Sequence, residues 1–140
     1  MDVLLIAEEL REQMRAHASA EYPRECCGIL VGRVAGENAE VLHVVAARNV
    51  AEGARLRDRY TIEPLAIVRA DREARDGGME IVGFYHSHPD HPAVPSETDR
   101  ELAWEGYVYI IVRVDAKGGG DLRGWRIGES GAFVEVPVPG

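Results

Sequence analysis

Residues 107–114 form the strongest strand pattern in the chain, because almost every position in this run is apolar. A near-continuous apolar run is typical of a central strand buried on both faces of its sheet. A second such run, over 80–88, is ended by Pro89, which cannot donate to a sheet ladder. Helical patterns over 64–75 and 96–105 precede these two runs. The alternation predicts an α/β fold with a mixed sheet.

The remaining segments extend this pattern in both directions. Apolar residues at four-residue spacing predict a first helix over 5–19, with Asp2 as its N-cap. Pro64 suits the first turn of the helix over 64–75, and Gly77-Gly78 stops it. Two apolar runs, 25–32 and 41–50, are predicted to pair as a hairpin. The other predicted pieces are strands over 121–127 and 132–136, a polar loop over 51–59 and a glycine turn at 118–120.

Bulk properties restrict the protein class. A length of 140 residues favours a single domain over 1–140. The net charge of −8 argues against sequence-independent nucleic-acid binding, which needs clustered positive charge. The N-terminus has no basic leader, and its apolar run is too short for a membrane span. The adjacent pair Cys26-Cys27 has no distant cysteine to bridge to, which indicates a reduced, cytoplasmic protein.

The strand over 80–88 ends in two histidines one residue apart. His86 and His88 point the same way, together with Val82 and Phe84, because strand side chains alternate between faces. A Pro-rich turn then brings the chain to Asp99. Two imidazoles and a carboxylate, with one position left for water, make the ligand set of a catalytic zinc site. The spacing of the two histidines also occurs by chance, so it leaves an ordinary pair of histidines open.

Each of the other candidate residues also has an ordinary interpretation. Ser96 and Asp99 have the spacing of a helix capping box and could be local structure only. Glu25 enters a buried strand, where a carboxylate needs a charge, a metal or hydrogen-bond donors; an arginine nearby could satisfy it. His91 is either an additional ligand or, more in keeping with an open catalytic site, an exposed turn residue. His17 and His43 are expected to be ordinary core or surface residues.

Taken together, these residues resemble the signature of the JAMM (MPN-plus) metalloproteases. That signature has an upstream Glu, then His-x-His-Pro, six residues, and Ser-x-x-Asp; the chain has Glu25, His86-Ser87-His88-Pro89 and Ser96-Glu97-Thr98-Asp99 in this order. Residues 49–51 and 59–64 further resemble the compact bacterial branch of the family, which includes CysO-cysteine peptidase. The resemblance covers nearly the whole chain. It implies a cytidine-deaminase-like architecture, in which a partly barrel-like mixed sheet is flanked by about three helices.

The resemblance also implies a role for each residue of the signature. His86, His88 and Asp99 would hold one zinc ion per chain, and Glu25 would act as the general base and then the general acid. Ser96 would donate a hydrogen bond to the oxyanion of the reaction. Family members cleave the amide after the C-terminal glycine of a ubiquitin-like protein. For the bacterial branch, the expected partner is a ubiquitin-like sulfur carrier with a Gly-Gly tail, cut from a cysteine or another amine during sulfur transfer and cysteine biosynthesis.

Three other functions are compared with this one. A cysteine hydrolase using Cys26 or Cys27 is disfavoured, because a thiol in an apolar strand has a raised pKa. A non-catalytic MPN-type binding module would not need the complete set of Glu25, His86, His88 and Asp99. A zinc enzyme acting on a small molecule, either an amidase or a deaminase, remains open, although the Pro-Cys-x-x-Cys ligand pair of zinc deaminases is missing. The oligomeric state, monomer or homodimer, is left open.

Overall fold

A computed structural model describes residues 2–51 and 60–139. Within them lie seven strands and three helices, as the mixed α/β prediction requires. The strands are β1 (Val3–Ile6), β2 (Cys27–Ala35), β3 (Asn38–Ala47), β4 (Glu80–Pro89), β5 (Val108–Asp115), β6 (Gly118–Ile127) and β7 (Phe133–Val136). The helices are α1 (Glu8–Glu21), α2 (Pro64–Asp76) and α3 (Glu97–Leu102).

All seven strands belong to one nearly closed sheet with the order β1-β3-β2-β4-β5-β6-β7. The β1–β3 and β4–β5 pairs are parallel and the other neighbours are antiparallel, so the sheet is mixed. Its two edges meet, since the backbone N–H of Leu4 in β1 donates to the carbonyl of Pro137, just after β7, at 3.0 Å. The expected barrel-like sheet and the hairpin of β2 with β3 are both confirmed.

The two longer helices cover opposite faces of the sheet. Met14 and Ala18 of α1 belong to one buried apolar cluster, and Ala70 and Ala74 of α2 belong to another. The strands β4 and β5 contribute to both clusters, which explains why their sequences are apolar at nearly every position. No helix within the described residues is long and apolar enough to cross a membrane.

The predicted start of the first helix was wrong. Residues 3–6 form β1, which pairs in parallel with β3, and α1 begins only at Glu8 with Ala7 as its N-cap. Asp2 therefore caps no helix. Leu4 and Ile6 are buried and Leu5 is exposed, which is the two-residue period of a strand. A four-residue strand is too short for its period to be distinguished from the helical pattern that follows.

Two further predictions about strands were wrong in detail. A bulge in β4, beside Leu30 and Val31 of β2, turns Val82 away from the face that carries Phe84, so the two side chains lie in different apolar clusters.

The second wrong prediction concerns the glycines at 118–120, which begin β6 and do not form the turn. Gly119 has to lack a side chain because a Cβ there would lie 2.8 Å from the Cβ of Arg15 in α1. The loop predicted over 51–59 lies, from residue 52 on, outside the described residues.

The sheet topology determines where chemistry can occur. β4 is the middle strand of the seven, between β2 and β5. Its C-terminal end carries the two neighbouring histidines, and the antiparallel β2 begins beside that end. The chain then turns through residues 90–95 into α3. Three segments therefore meet at one end of the sheet.

Candidate metal centre

His86 and His88 lie side by side at the end of β4. His86 is opposite Cys27 of β2 and beside Ile111 of β5, so both backbone edges are paired at this point. The two side chains share a face, and their Nε2 atoms are 3.1 Å apart. His86 is 1% exposed and His88 is 7% exposed. The strand therefore holds two imidazoles rigidly, with their nitrogens directed at the same point.

Asp99 reaches the same point from the first turn of α3. Its Oδ1 lies 3.2 Å from Nε2 of His86, and its Oδ2 lies 3.0 Å from Nε2 of His88. The capping box is also present, because Oδ2 accepts the N–H of Ser96 at 2.9 Å while Oγ of Ser96 accepts the N–H of Asp99 at 3.1 Å. The two interpretations of Ser96 and Asp99 left open by the sequence are thus compatible, since one carboxylate caps the helix and faces the histidines.

The three side chains fit a tetrahedral metal ion. One nitrogen or oxygen from each of His86, His88 and Asp99 lies within 4.8 Å of the others. Ligand bonds of about 2.0–2.1 Å place tetrahedral ligand atoms roughly 3.3 Å apart, close to the distances found here. Nδ1 of His88 lies 2.9 Å from the carbonyl of Pro92, the kind of outer contact that orients metal-binding histidines. Two imidazoles and a carboxylate are a donor set suited to zinc.

The electrostatics of the three residues also suit a cation. Burial lowers the pKa of His86, which favours the neutral imidazole that metals bind. Burial alone would raise the pKa of Asp99, but His86, His88 and the N–H of Ser96 hold it well below its usual range. Burial would lower the pKa of His88, as it does for His86, but the hydrogen bond with Asp99 and weaker interactions raise this pKa overall. The carboxylate of Asp99 is therefore ionised.

Glu25 lies just before β2, next to this cluster. The predicted strand over 25–32 starts two residues later in the structure, at Cys27, because the N–H of Cys26 donates to Oγ of Ser87 and not to a carbonyl of β4. Continuing the register of Cys27 with His86 places Glu25 opposite His88. Glu25 is 5% exposed, and its charge contributes to raising the pKa of His88. A buried carboxylate thus lies beside His88.

An apolar cavity adjoins the cluster on the α2 side of the sheet. The ring of Tyr60 stacks on His86, with centroids 4.3 Å apart and planes 20° from parallel. Tyr60 and Phe84 line a cavity of about 310 Å³ together with Ile67, Leu102, Trp104 and Tyr109. Leu102 and Trp104 are more than half exposed, at 51% and 57%. Apolar side chains are therefore available to a ligand directly beside the candidate metal centre.

The other histidines and the cysteines lie outside the cluster. His91 and His43 are exposed, and Nδ1 of His17 lies 2.8 Å from the hydroxyl of Tyr85. Burial raises the pKa of Cys26 to about 11 and that of Cys27 to about 12. Neither thiol is ionised near neutral pH, which disfavours a cysteine hydrolase.

Two residues near the cluster were given no role by the sequence alone. Asn49 binds the backbone of both Glu25 and Thr61, and Tyr60 stacks on His86. Both lie in segments already noted for their resemblance to the bacterial branch, and that resemblance was the signal that could have identified them. The hydroxyl of Tyr22 also donates to the carboxylate of Asp90, and no pattern in the sequence predicts this contact.

Comparison with known proteins places this geometry in a family. The family model described as prokaryotic homologs of the JAB domain matches residues 7–128. A desampylase from Haloferax volcanii is 38% identical over 119 residues, which cover 81% of this chain and 83% of that protein. A CysO-cysteine peptidase from Mycobacterium tuberculosis is 32% identical over 137 residues, covering 97% of this chain and 90% of the peptidase.

Further similarities extend to a third relative and to two solution structures. A probable TtuB-protein conjugate cleaving protease from Thermus thermophilus is 34% identical, with 81% of this chain and 72% of that protein covered. The solution structure of a protein from Desulfitobacterium hafniense superposes with a TM-score of 0.85 at 26% sequence identity, and the match covers 98% of this chain and 92% of that one. The solution structure of a protein from Salinibacter ruber superposes with a TM-score of 0.72 at 32% identity, and the match covers 96% of this chain and 90% of that one. Sequence and fold thus agree.

Proposed function

The chain belongs to the family of prokaryotic homologues of the JAB domain, the JAMM metalloproteases, and we propose that it is a zinc-dependent peptidase or isopeptidase for conjugates of a ubiquitin-like carrier protein. The bond cleaved is the amide between the C-terminal glycine of the carrier and a cysteine or another amine. The observation that carries the proposal is the convergence of His86, His88 and Asp99 on one point, beside the buried Glu25.

In this proposal His86, His88 and Asp99 hold one zinc ion. When bound, zinc supplies a Lewis acid for the scissile carbonyl and lowers the pKa of a water molecule to about 7. The protein contributes the rigidity of the site. Both histidines are fixed by a strand that is paired on each side, and Asp99 is fixed by the first turn of α3.

Glu25 is the proposed proton carrier. It accepts a proton from the attacking water, whose oxygen bonds to the glycine carbonyl carbon, and delivers that proton to the leaving nitrogen as the C–N bond breaks. Ser96 is the proposed oxyanion donor. Its Oγ accepts the N–H of Asp99, so one lone pair serves the helix cap while the hydroxyl hydrogen stays available. A donor of this kind contributes about 10²–10³ in rate in other hydrolases.

The substrate class rests on the relatives and on the cavity beside the site. The names of three relatives refer to conjugates or adducts: a desampylase, a TtuB-protein conjugate cleaving protease and a CysO-cysteine peptidase. We infer a ubiquitin-like sulfur carrier with a Gly-Gly tail as the partner. The tail lies extended across the apolar cavity formed by Tyr60, Phe84 and Trp104, and its last glycine reaches the metal centre.

A cleavage assay combined with metal analysis tests the proposal. Zinc-loaded protein is incubated with the CysO–cysteine adduct, and released cysteine is measured beside the zinc content. We expect one zinc per chain and release of cysteine from the wild type. Glu25→Gln keeps its zinc and loses at least about 10²-fold in rate, because only the proton carrier is removed. His88→Ala loses zinc and activity together. His91→Ala is the matched control and retains both, since His91 is exposed and outside the cluster.

The same assay separates the alternatives. A zinc-containing wild type that leaves every carrier adduct intact contradicts the substrate class and favours a small-molecule amidase. A protein that binds no zinc, and whose properties Glu25→Gln does not change, is a binding module.

A further inference from the structure

A second cavity, of about 450 Å³, opens on the other side of Glu25. It lies where β2 begins and β3 ends. It is lined by His17, Cys26 and Asn49 as well as by Glu25. Glu25 is thus shared between the cavity and the candidate metal centre, where the β2–β4 register places it opposite His88. The cavity therefore opens onto the group that is proposed to deliver the proton.

Two arginines at this cavity have no ion pair with another described residue. Most arginines within residues 2–51 and 60–139 pair with a carboxylate, for example Arg15 with Glu12 at 2.6 Å and Arg75 with Asp71 at 3.1 Å. Arg24 and Arg48 line the cavity, are exposed, and lie within 4.0 Å of no described carboxylate. The cavity therefore presents two guanidinium groups, from Arg24 and Arg48, together with the carboxylates of Glu21 and Glu25.

We propose that this cavity holds the leaving group of the reaction, an α-amino acid whose free carboxylate binds Arg24 and Arg48. The proposal rests on the function proposed above and names the amine that the enzyme releases. The leaving nitrogen has to approach Glu25 to receive its proton, so the atoms attached to that nitrogen occupy the space next to Glu25. Arginine is suited to a carboxylate because its guanidinium can donate two parallel hydrogen bonds to the two oxygens.

The charges around the cavity match the product as well as the substrate. When the amide is hydrolysed, the hydroxyl group of water is added to the glycine carbonyl carbon. The electron pair of the C–N bond stays on the nitrogen, which takes up the proton. At neutral pH the released amino acid becomes a zwitterion. The cavity offers the carboxylates of Glu21 and Glu25 to the ammonium group and the two arginines to the carboxylate.

This arrangement also distinguishes an adduct with a single amino acid from an isopeptide conjugate. In an adduct with a single amino acid, the α-carboxylate is one carbon away from the scissile nitrogen. In an isopeptide conjugate, the nitrogen belongs to a lysine side chain, and no carboxylate is near it. The arginine pair therefore favours a carrier extended by one amino acid over a carrier attached to a folded protein.

Binding measurements test the subsite without depending on cleavage. Zinc-loaded Glu25→Gln protein is titrated by calorimetry with two CysO adducts, one ending in cysteine with a free carboxylate and one ending in cysteine amide. We expect the carboxylate adduct to bind about tenfold more tightly, as a charge-assisted hydrogen bond allows. Adding Arg24→Gln and Arg48→Gln lowers its affinity to that of the amide adduct and leaves the amide adduct unchanged. Arg33→Gln is the matched control and changes neither affinity. Arg33 is exposed, lies towards the far end of β2 and has no ion pair with another described residue.

Equal affinities for the two adducts overturn the proposal. So does a double arginine variant that loses affinity for a lysine-linked conjugate as strongly as for the carboxylate adduct. A cleavage assay with the zinc-loaded wild type shows whether the carboxylate subsite or the proposed peptidase function is wrong. A wild type that cleaves both adducts equally well supports the peptidase and removes the carboxylate subsite. A wild type that cleaves neither, while the Glu25→Gln protein prefers the carboxylate adduct, removes the peptidase and keeps the subsite.

Discussion

At the scale of single residues, Asn49 connects more of the site than its place after β3 suggests. Its Nδ2 donates to the carbonyl of Glu25 at 3.0 Å, and its Oδ1 accepts the N–H groups of Ala51 and Thr61, each at 3.0 Å. Thr61 follows Tyr60, whose ring covers His86. One side-chain amide therefore fixes the backbone of the proposed proton carrier and the segment that shields a proposed ligand.

Replacing Asn49 tests this positioning role. We expect Asn49→Ala to lower kcat by about 10–100-fold with the zinc content unchanged, since small displacements of a catalytic group have large effects on rate. Asn49→Asp keeps an acceptor for the N–H groups of Ala51 and Thr61 but places a carboxylate oxygen where the donor to the Glu25 carbonyl was. It should therefore lower kcat as Asn49→Ala does. Steady-state kinetics, metal analysis and thermal unfolding provide the three readouts, and a wild-type kcat in both variants would contradict the role.

At the scale of elements, α3 shows what the sequence could and could not predict. The spacing of Ser96 and Asp99 was sufficient to predict the capping box, because capping is a local interaction along the chain. The approach of Asp99 to the histidines depends on the path of the turn over 90–95, and the family signature indicated it where periodicity did not. The bulge that turns Val82 away from Phe84 was not predictable, because it depends on the pairing of β4 with β2.

The two roles of Ser96 can be separated at the N-terminus of α3. We expect Ser96→Gly to cost only a few tenths of a kcal/mol, because glycine is tolerated as an N-cap, whereas Ser96→Ala costs about 1 kcal/mol. Both variants lack the hydroxyl and should lose about 10²-fold in kcat if it serves the oxyanion. Urea unfolding and steady-state kinetics measure the two effects. If Ser96→Gly retains the wild-type kcat, Ser96 is a cap and not an oxyanion donor.

At the scale of the whole molecule, the candidate metal centre joins β4 to α3, so a bound ion should stabilise the folded chain. An ion at about 100 times its dissociation constant adds roughly 2.7 kcal/mol to the free energy of unfolding. For a domain of this size, this corresponds to a melting temperature raised by roughly 5–10 °C. We expect a chelator to lower the melting temperature of the wild type by that amount and that of His88→Ala hardly at all. Equal melting temperatures with and without chelator in the wild type would contradict a zinc site.

The sequence predicted the fold better at its centre than at its edges. The middle strands β4 and β5 were predicted within a residue at each end, because burial on both faces leaves a clear apolar run. The short edge strand β1 was missed, since its four residues pair with β3 far along the chain and carry little pattern of their own. Closure of the sheet between Leu4 and Pro137 is likewise a contact between distant residues, and the family resemblance indicated it where the local pattern did not.

The distances along the chain between the site residues have a consequence for folding. His88 and Asp99 are 11 residues apart, whereas Glu25 depends on the pairing of β2 with β4, in which Cys26 contacts Ser87 61 residues away. Loop-closure entropy is smaller for the short connection. The proposed proton carrier reaches the site only through long-range strand pairing. A change that weakens the pairing of β2 with β4 is therefore expected to displace Glu25 more than it displaces Asp99 from His88.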